Sequence, residues 1–403
     1  MLQLLKGLRI VDATTVVLGP YATRLLGDLG ADVIKIEPPE GDVFRAVRPG
    51  RSDCMGAGFL NCNRNKRSLV LDLKQPEGRA ALLDVVREAD VFVHNMRPKS
   101  AEKLGLSYSQ LRACNERLVY CYSPGFGQGG RHAGLPAYDD IIQAMSGLAM
   151  LNADGNGEPR FLPTIVCDKV GGLHLALAVL AGVIHRHTSG RGGCIEVPMF
   201  ESMVSFLMVE QLAGETFVPP LGSTGYERLL SPYRKPFRTR DGYVTILPYT
   251  TSHWRSFLTL VGHAELAEEA WVRDPVARSA RVNQLYKVIA EATPKRTTQE
   301  WISALEQVDV PCARLASVAD LLTDAHLRDV NFFSEDEHPT QGRVRVARSP
   351  FRVEGVGIEP DQPTPELGEH TKAVLTEAGL TAEQIDKLLS LGVIRNKGTM
   401  EGA

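Results

Sequence analysis

Residues Leu8 to Glu37, LRIVDATTVVLGPYATRLLGDLGADVIKIE, decide the fold. Leu8 to Asp12 has the β-branched, apolar character of a strand. Gly19-Pro20 opens a helix that runs through Leu29, proline being pre-set for a first helical turn, and Val33 to Glu37 is a second strand. Strand, helix and strand in this order make a βαβ unit, whose crossover is right-handed. The pattern recurs downstream. Ser68 to Leu73 reads as a strand, Pro76 to Glu88 as a helix, Val91 to Val93 as a strand, and Leu118 to Tyr122 as another before the turn at Ser123-Pro124-Gly125. The fold class is therefore α/β with a mostly parallel sheet.

Further along, Asp139 to Leu148 and Asp168 to His187 are helical, the second segment apolar on most faces and hence buried. Gly192 to Pro198 looks like a strand and Phe200 to Leu212 like an apolar helix, and Pro219 to Gly225 reads as a linker. Beyond it, Tyr233 to Phe237 and Tyr243 to Leu247 flank Asp241-Gly242 as a hairpin, followed by helices carrying Trp254, Trp271 and Trp301. This middle part reads as a smaller α+β domain ending near residue 330, after which short strands and helices around Val374 and Ile385 complete the chain.

At 403 residues the chain exceeds what one compact core usually holds. Its 43% hydrophobic and 23% charged residues are those of an ordinary globular protein, and a net charge of -3 gives no basic excess for nucleic acid. Cys54, Cys62, Cys114, Cys121, Cys167, Cys194 and Cys312 are odd in number and scattered, without the paired spacing that holds zinc, and read as reduced thiols of a cytoplasmic protein. The first residues lack the pattern of an export signal. The most apolar stretch, Leu173 to Ile184, is interrupted by His174 and shorter than the roughly 20 residues a bilayer requires, so no membrane partner is expected.

The first βα junction, Val16-Val17-Leu18-Gly19-Pro20, is not the G-x-G-x-x-G of dinucleotide sites, and no Walker motif occurs. Asn63-Arg64-Asn65-Lys66-Arg67 is either a solvated basic loop or a grip on phosphates. Arg97, Lys99 and Lys103 form a second cluster at the carboxyl end of its strand, where open α/β sheets bind ligands. Asp168 stands before Lys169-Val170-Gly171-Gly172 at a helix start. Local physics favours a helix cap there. The same setting suits a nucleophile, because the helix dipole keeps a carboxylate ionised and the glycines admit a bulky substrate. Tyr138-Asp139-Asp140 opens the preceding helix, Gly125, Gly127, Gly129 and Gly130 suggest a flexible loop, and His174 reads as a core histidine.

Taken together, Gly7 to Asp12, Gly19-Pro20, Leu29 to Glu37, Asn63 to Leu73, Asn95-Met96-Arg97-Pro98, Tyr138 to Gly147, Asp168 and Leu367-Gly-Glu-His-Thr371 resemble the class III CoA-transferases, the CaiB/BaiF family, with the related α-methylacyl-CoA racemases. The resemblance covers nearly the whole chain. It implies a Rossmann-like large domain from residues 1–222 and 330–403, an inserted small domain from residues 223–329, and an interlocked, ring-like homodimer. It also implies acyl-CoA and a carboxylic acid as substrates, with no permanently bound cofactor. Asp168 matches the family's catalytic aspartate, which attacks the thioester, forms an anhydride and then carries CoA as an aspartyl thioester. Val16, Val17 and Leu18 count among the CoA-binding residues, the backbone N–H groups near Val17 and Leu18 being candidate oxyanion donors, and the remaining positions follow by match. Leu71, Asp72, Leu73, Lys74, Asn95, Met96, Arg97 and Lys103 lie along CoA, with Tyr138 and Asp139 beside the thioester. Val17 replaces a glutamine of the formyl-CoA transferases, Ser231 to Phe237 stands where their glycine-rich loop would be, and Tyr138 stands where the racemases have a histidine. Transfer is thereby favoured over proton exchange, His132 being close in sequence but out of register. A racemase-like enzyme and a non-catalytic acyl-CoA-binding homologue are the other readings. Arg228, Arg234 and Arg240 are candidates to clamp a second carboxylate.

Overall fold

The structure, a computed structural model, describes residues 1–397. Two compact units emerge, Met1–Leu207 with Asn331–Ala403, and Met208–Val330. The first crossing falls at Leu207, inside a helix, ahead of the expected position at residue 222.

In chain order the first unit contains β1 (Arg9–Ala13), α1 (Leu18–Asp28), β2 (Asp32–Glu37), α2 (Ala57–Asn63), β3 (Lys66–Val70), α3 (Pro76–Arg87), β4 (Val91–His94), α4 (Pro98–Lys103), α5 (Tyr108–Arg112), β5 (Val119–Tyr122), α6 (Asp139–Met145), α7 (Leu148–Leu151), α8 (Val166–Ser189), β6 (Gly193–Glu196) and α9 (Met199–Gln211). The six strands form one parallel sheet in the order β3-β2-β1-β4-β5-β6. Alternate side chains leave each strand on opposite faces. Ile10, Val33, Val91, Val93 and Val119 enter a core with α1, α8 and α9. Val11, Ile34, Ile36, Phe92 and Tyr120 enter another, with α3 and the helices Thr371–Glu377 and Ala382–Ser390. At one sheet edge the outer side of β3 is sealed by the far end of the chain. Gly368 N donates to Ser68 Oγ (3.0 Å), His370 N to Ser68 O (3.0 Å), and Val70 N to Thr371 Oγ1 (3.2 Å). A hairpin of β10 (Phe333–His338) and β11 (Gly342–Ala347) belongs to the same unit.

The second unit carries an antiparallel sheet, β7 (Phe237–Arg238), β8 (Tyr243–Ile246) and β9 (Cys312–Arg314), in that order. The hairpin at Asp241-Gly242 is as expected, whereas β9 arrives from far along the chain. Trp254, Phe257, Leu285, Ile289 and Trp301 pack its core. Two of the arginines considered for a carboxylate clamp are engaged within this unit: Arg228 Nε donates to Tyr286 Oη (3.1 Å) and Arg240 pairs with Glu300 (3.3 Å).

Inside the first unit the basic stretch 63–67 is neither solvated nor free to hold phosphate. Lys66 Nζ is fully buried and donates to Asp12 Oδ2 (3.0 Å), Pro20 O (3.0 Å) and Asn63 Oδ1 (2.9 Å). Arg64 makes a two-pronged pair with Asp28 (3.0 and 2.7 Å), and Arg67 pairs with Asp32 and Glu377. Beside them Lys35 donates to Asp42 Oδ2 and to Thr14 O (both 2.9 Å), and Arg45 forks onto Glu37 (2.7 Å). Burial alone would raise the Asp12 carboxyl, but Lys66 and Lys35 hold it at about 2. Burial draws Lys66 down to about 8 against the pull of Asp12, so the pair is charged at neutral pH.

Also corrected is the length of the apolar helix. α8 spans 24 residues and has the length and apolar composition of a membrane span, yet its inner face, with Val170, Leu175 and Val179, lies in the core shared with α1.

Removing one member of a buried pair leaves the other uncompensated, a loss of about 3–5 kcal/mol. Lys66→Met should therefore lower the stability of the first unit by that order, measured from its denaturant-unfolding transition. A loss below about 1 kcal/mol would show that the pair contributes little.

Candidate active site

The strand order reverses between β1 and β4, and open α/β sheets bind ligands beyond the carboxyl ends of their strands at such a switch point. A cavity of about 250 Å³ lies there, lined by the turns after β1 (Thr15 to Leu18), β4 (Asn95, Arg97) and β5 (Ser123 to Gly125), by Leu135 to Tyr138, by Met199, and by Asp168.

The turn after β1 is held on every side. Asp12 accepts from Thr14 N (3.0 Å) and Thr14 Oγ1 (2.5 Å). Asn95 Oδ1 accepts from Thr15 N (3.0 Å) while its Nδ2 donates to Thr15 O (2.9 Å). Val16 has φ 68°, the left-handed region that β-branched residues avoid. The amides of Val17 and Leu18, which follow, have no hydrogen-bond acceptor among the described residues. The turn after β4 is fixed by His94, whose imidazole burial holds down at about 4. Neutral His94 accepts at Nδ1 from Met96 N (3.1 Å), so its Nε2–H faces Tyr120 Oη (2.6 Å), which donates to Leu106 O (2.8 Å).

Asp168 is not the helix cap. It is the third residue of α8, and the capping is done by a carboxylate from another helix: Asp139 Oδ1 accepts from Cys167 N (2.7 Å) and Asp168 N (3.1 Å). Gln143 braces Asp139 through Nε2 (2.6 Å) and holds Leu162 N (2.8 Å), fixing the approach to α8. Gly171 and Gly172 face α1 rather than the cavity. A Cβ on Gly172 would stand 2.7 Å from Leu18 O, so the glycines let α8 and α1 meet backbone to backbone. The loop of Gly125, Gly127, Gly129 and Gly130 is anchored, with Gly127 N on Glu201 (2.9 Å) and Gln128 N on Glu196 (2.8 Å).

Of the residues singled out in the sequence, Val16, Val17, Leu18, Asn95, Arg97, Tyr138 and Asp168 line the cavity together, Tyr138 being 70% exposed. Leu71, Asp72, Leu73, Lys74, Met96, Lys103 and Asp139 lie outside its lining. Leu71 is core, and Asp72 accepts from Lys74 N (3.0 Å) and Gln75 Nε2 (3.0 Å) in the turn before α3. His132 packs at a tilt against Phe126 (5.4 Å between centroids) outside the lining. Thr15, Met199 and Leu135 to Ala137 join the cavity without a local sequence signal.

Burial pushes the Asp168 carboxyl up to about 7, and the neighbouring Asp139 charge adds to it. The expected helix-dipole effect is overridden, because the first amides of α8 are already occupied by Asp139. A carboxyl poised near 7 is ionised in part at neutral pH and, being half-buried, is poorly solvated, which favours its use as a nucleophile. The folded state holds this proton more tightly than the unfolded chain, whose aspartates titrate near 3.9, so stability from this group is present below about pH 4 and lost as pH rises through 7. Asp168→Asn should be more stable than the parent above pH 7 by on the order of 4 kcal/mol, with the difference vanishing near pH 4. Equal melting temperatures at both pH values would contradict the raised carboxyl.

The chain is 30% identical over 400 residues to succinyl-CoA:glutarate CoA-transferase of Mus musculus, covering 98% of this chain and 91% of that protein. It is 33% identical over 387 residues to succinyl-CoA:mesaconate CoA-transferase of Haloarcula hispanica, covering 93% and 96%. Among solved structures, a CaiB/BaiF family protein from Brucella suis superposes with a TM-score of 0.78 at 30% identity, covering 94% of this chain and 100% of that one. Rv3272 from Mycobacterium tuberculosis does so with 0.79 at 28% identity, covering 92% and 98%. Residues 5–371 match the profile of CoA-transferase family III, and the chain belongs to that family.

Proposed function

We propose that this enzyme moves coenzyme A from an acyl-CoA donor to a carboxylic acid through covalent intermediates on Asp168. The observation that carries the reading is a half-buried carboxylate, relieved of capping by Asp139, in a cavity also lined by Val17 and Leu18, whose amides have no acceptor among the described residues. A carboxylate oxygen of Asp168 attacks the thioester carbon, the two amides receive the developing oxyanion, and the CoA thiolate leaves an acyl-aspartyl anhydride. The thiolate then attacks the aspartyl carbonyl, releasing the first acid and leaving CoA on Asp168. An acceptor carboxylate repeats the sequence in reverse and departs as the new acyl-CoA. Water must stay out, since an anhydride that hydrolyses loses the thioester's energy.

Asn95, Met96 and Arg97 after β4, Leu71 to Lys74 after β3, and Lys103 at the end of α4 follow the carboxyl-end side of the sheet, which supports a path for CoA along that side, with its phosphates on the cations. Tyr138, at the cavity rim, borders the thioester. The parallel order 3-2-1-4-5-6 supports a Rossmann-like large domain, and the division of the chain at Leu207 and Asn331 supports a small domain inserted in its sequence. On α8, Leu173, Leu177 and Ile184 are each more than half exposed, which supports burial of that face in an interlocked homodimer. A cytoplasmic location belongs to the same reading. Dicarboxylic acids are the first substrates to try, because relatives named for succinyl-CoA with glutarate or mesaconate are similar along nearly the whole chain.

Incubation with succinyl-CoA and hydroxylamine should convert Asp168 to a hydroxamate detectable by mass spectrometry; an unmodified side chain during turnover would rule the pathway out. Asp168→Ala should lose at least about 10³-fold in transfer rate. In the parent, kcat/KM should fall as pH drops below about 7, because the protonated carboxyl cannot attack. Asp139→Asn, which removes the second cause of that raised value, should shift the acid limb to lower pH.

A further inference from the structure

We infer that Asp42, held by Lys35, is a positioning residue that keeps Val16 in its left-handed conformation and thereby aims the Val17 and Leu18 amides into the cavity. Asp42 does not line the cavity. Its two oxygens accept the Val16 N–H (3.2 and 3.3 Å), and the same carboxylate accepts from Lys35 Nζ (2.9 Å) and from Phe44 N (3.0 Å). Lys35 in turn donates to Thr14 O, two residues before Val16 (2.9 Å). The buried pair thus grips the turn at both ends of the Thr14–Val16 segment, with both partners fully shielded from water. Asp42 is itself seated, its own N–H donating to Glu37 Oε2 (3.1 Å).

A valine at φ 68° is disfavoured by its own side chain, so the surroundings must supply the restraint. Thr15 is held at both its N–H and C=O by Asn95, and Val16 N–H is held by Asp42. The next two amides along the chain, those of Val17 and Leu18, have no acceptor among the described residues. Were Val16 to relax to negative φ, the peptide planes that follow would rotate, and the amides of the cavity-lining residues Val17 and Leu18 would be re-aimed.

The inference rests on the proposed transfer reaction, and a thermodynamic cycle with Val16→Gly tests it, since glycine adopts this φ without penalty. Asp42→Asn should reduce the single-turnover rate of Asp168 acylation by about 100-fold, as expected for misplaced oxyanion donors. The dissociation constant of free CoA should change less than about threefold, since the turn after β4 is untouched. In the Val16→Gly background the same Asp42→Asn change should lower the rate by less than about tenfold, because the restraint is no longer needed. Equal losses in the two backgrounds, or no loss in either, would overturn the positioning role. If Asp42→Asn does not fold, Asp42→Glu takes its place: it keeps the charge beside Lys35 while displacing the acceptor from Val16, and the same pair of outcomes decides. Absence of any acyl-aspartate in the parent would instead refute the covalent reaction and is read separately.

Discussion

Everything at the carboxyl end of the sheet depends on charge buried beneath it. Lys66 against Asp12, Lys35 against Asp42, and Arg45 against Glu37 fill the space under the first two βα turns with ions that have no water to turn to. Such pairs seldom add net stability over well-packed apolar residues of the same volume. What they add is direction: each donor has a fixed acceptor, so the chain has one arrangement available where an oily filling would allow several. Thr14, which opens the turn between β1 and α1, and Pro20, in the first turn of α1, lend carbonyls to Lys35 and Lys66, and the turn inherits the rigidity of the salt bridges.

Two aspartates, Asp139 and Asp168, share one helix start and are given different work by their surroundings. Asp139 is buried with its oxygens spent on the amides of α8 and on Gln143. Asp168 is left without a role in holding the helix and is raised to about 7 by burial and by its neighbour. A helix start ordinarily favours an ionised carboxylate. Once one carboxylate has taken the amides, the second feels its repulsion, and its proton is held more tightly than at an ordinary helix start. The glycines that follow Asp168 bring α1 close enough for Leu18 and Asp168 to border the same space.

The parallel sheet could be read from residues alone because each strand and helix announces itself within ten or twelve positions. The proposal for Asp168 comes from a different source, the long ordered resemblance, since local physics preferred a cap. What escaped was non-local. A lysine in a strand, such as Lys35 or Lys66, carries no sign that its partner, Asp12 in the case of Lys66, lies 54 residues away. Asp139 caps a helix 28 residues further on, and no spacing rule links a carboxylate to amides at that distance. The strand β9 was missed because three residues have no period, and the basic stretch 63–67 was misjudged because charge in sequence looks the same whether it meets water or an aspartate.

The seal on the outer edge of β3 has a consequence for how the protein is made. Ser68 and Val70 wait for Gly368, His370 and Thr371, which leave the ribosome some 300 residues later. At roughly 5–20 residues per second, that interval is on the order of 15–60 s, during which a nascent sheet shows an unpaired flank. The charged pairs of Arg64 and Lys66, whose partners are upstream and already synthesised, can form at once. The same late segment carries Val374, Leu375, Ile385 and Leu388, which complete one of the two cores of the sheet, so edge and core are closed together by the last residues made.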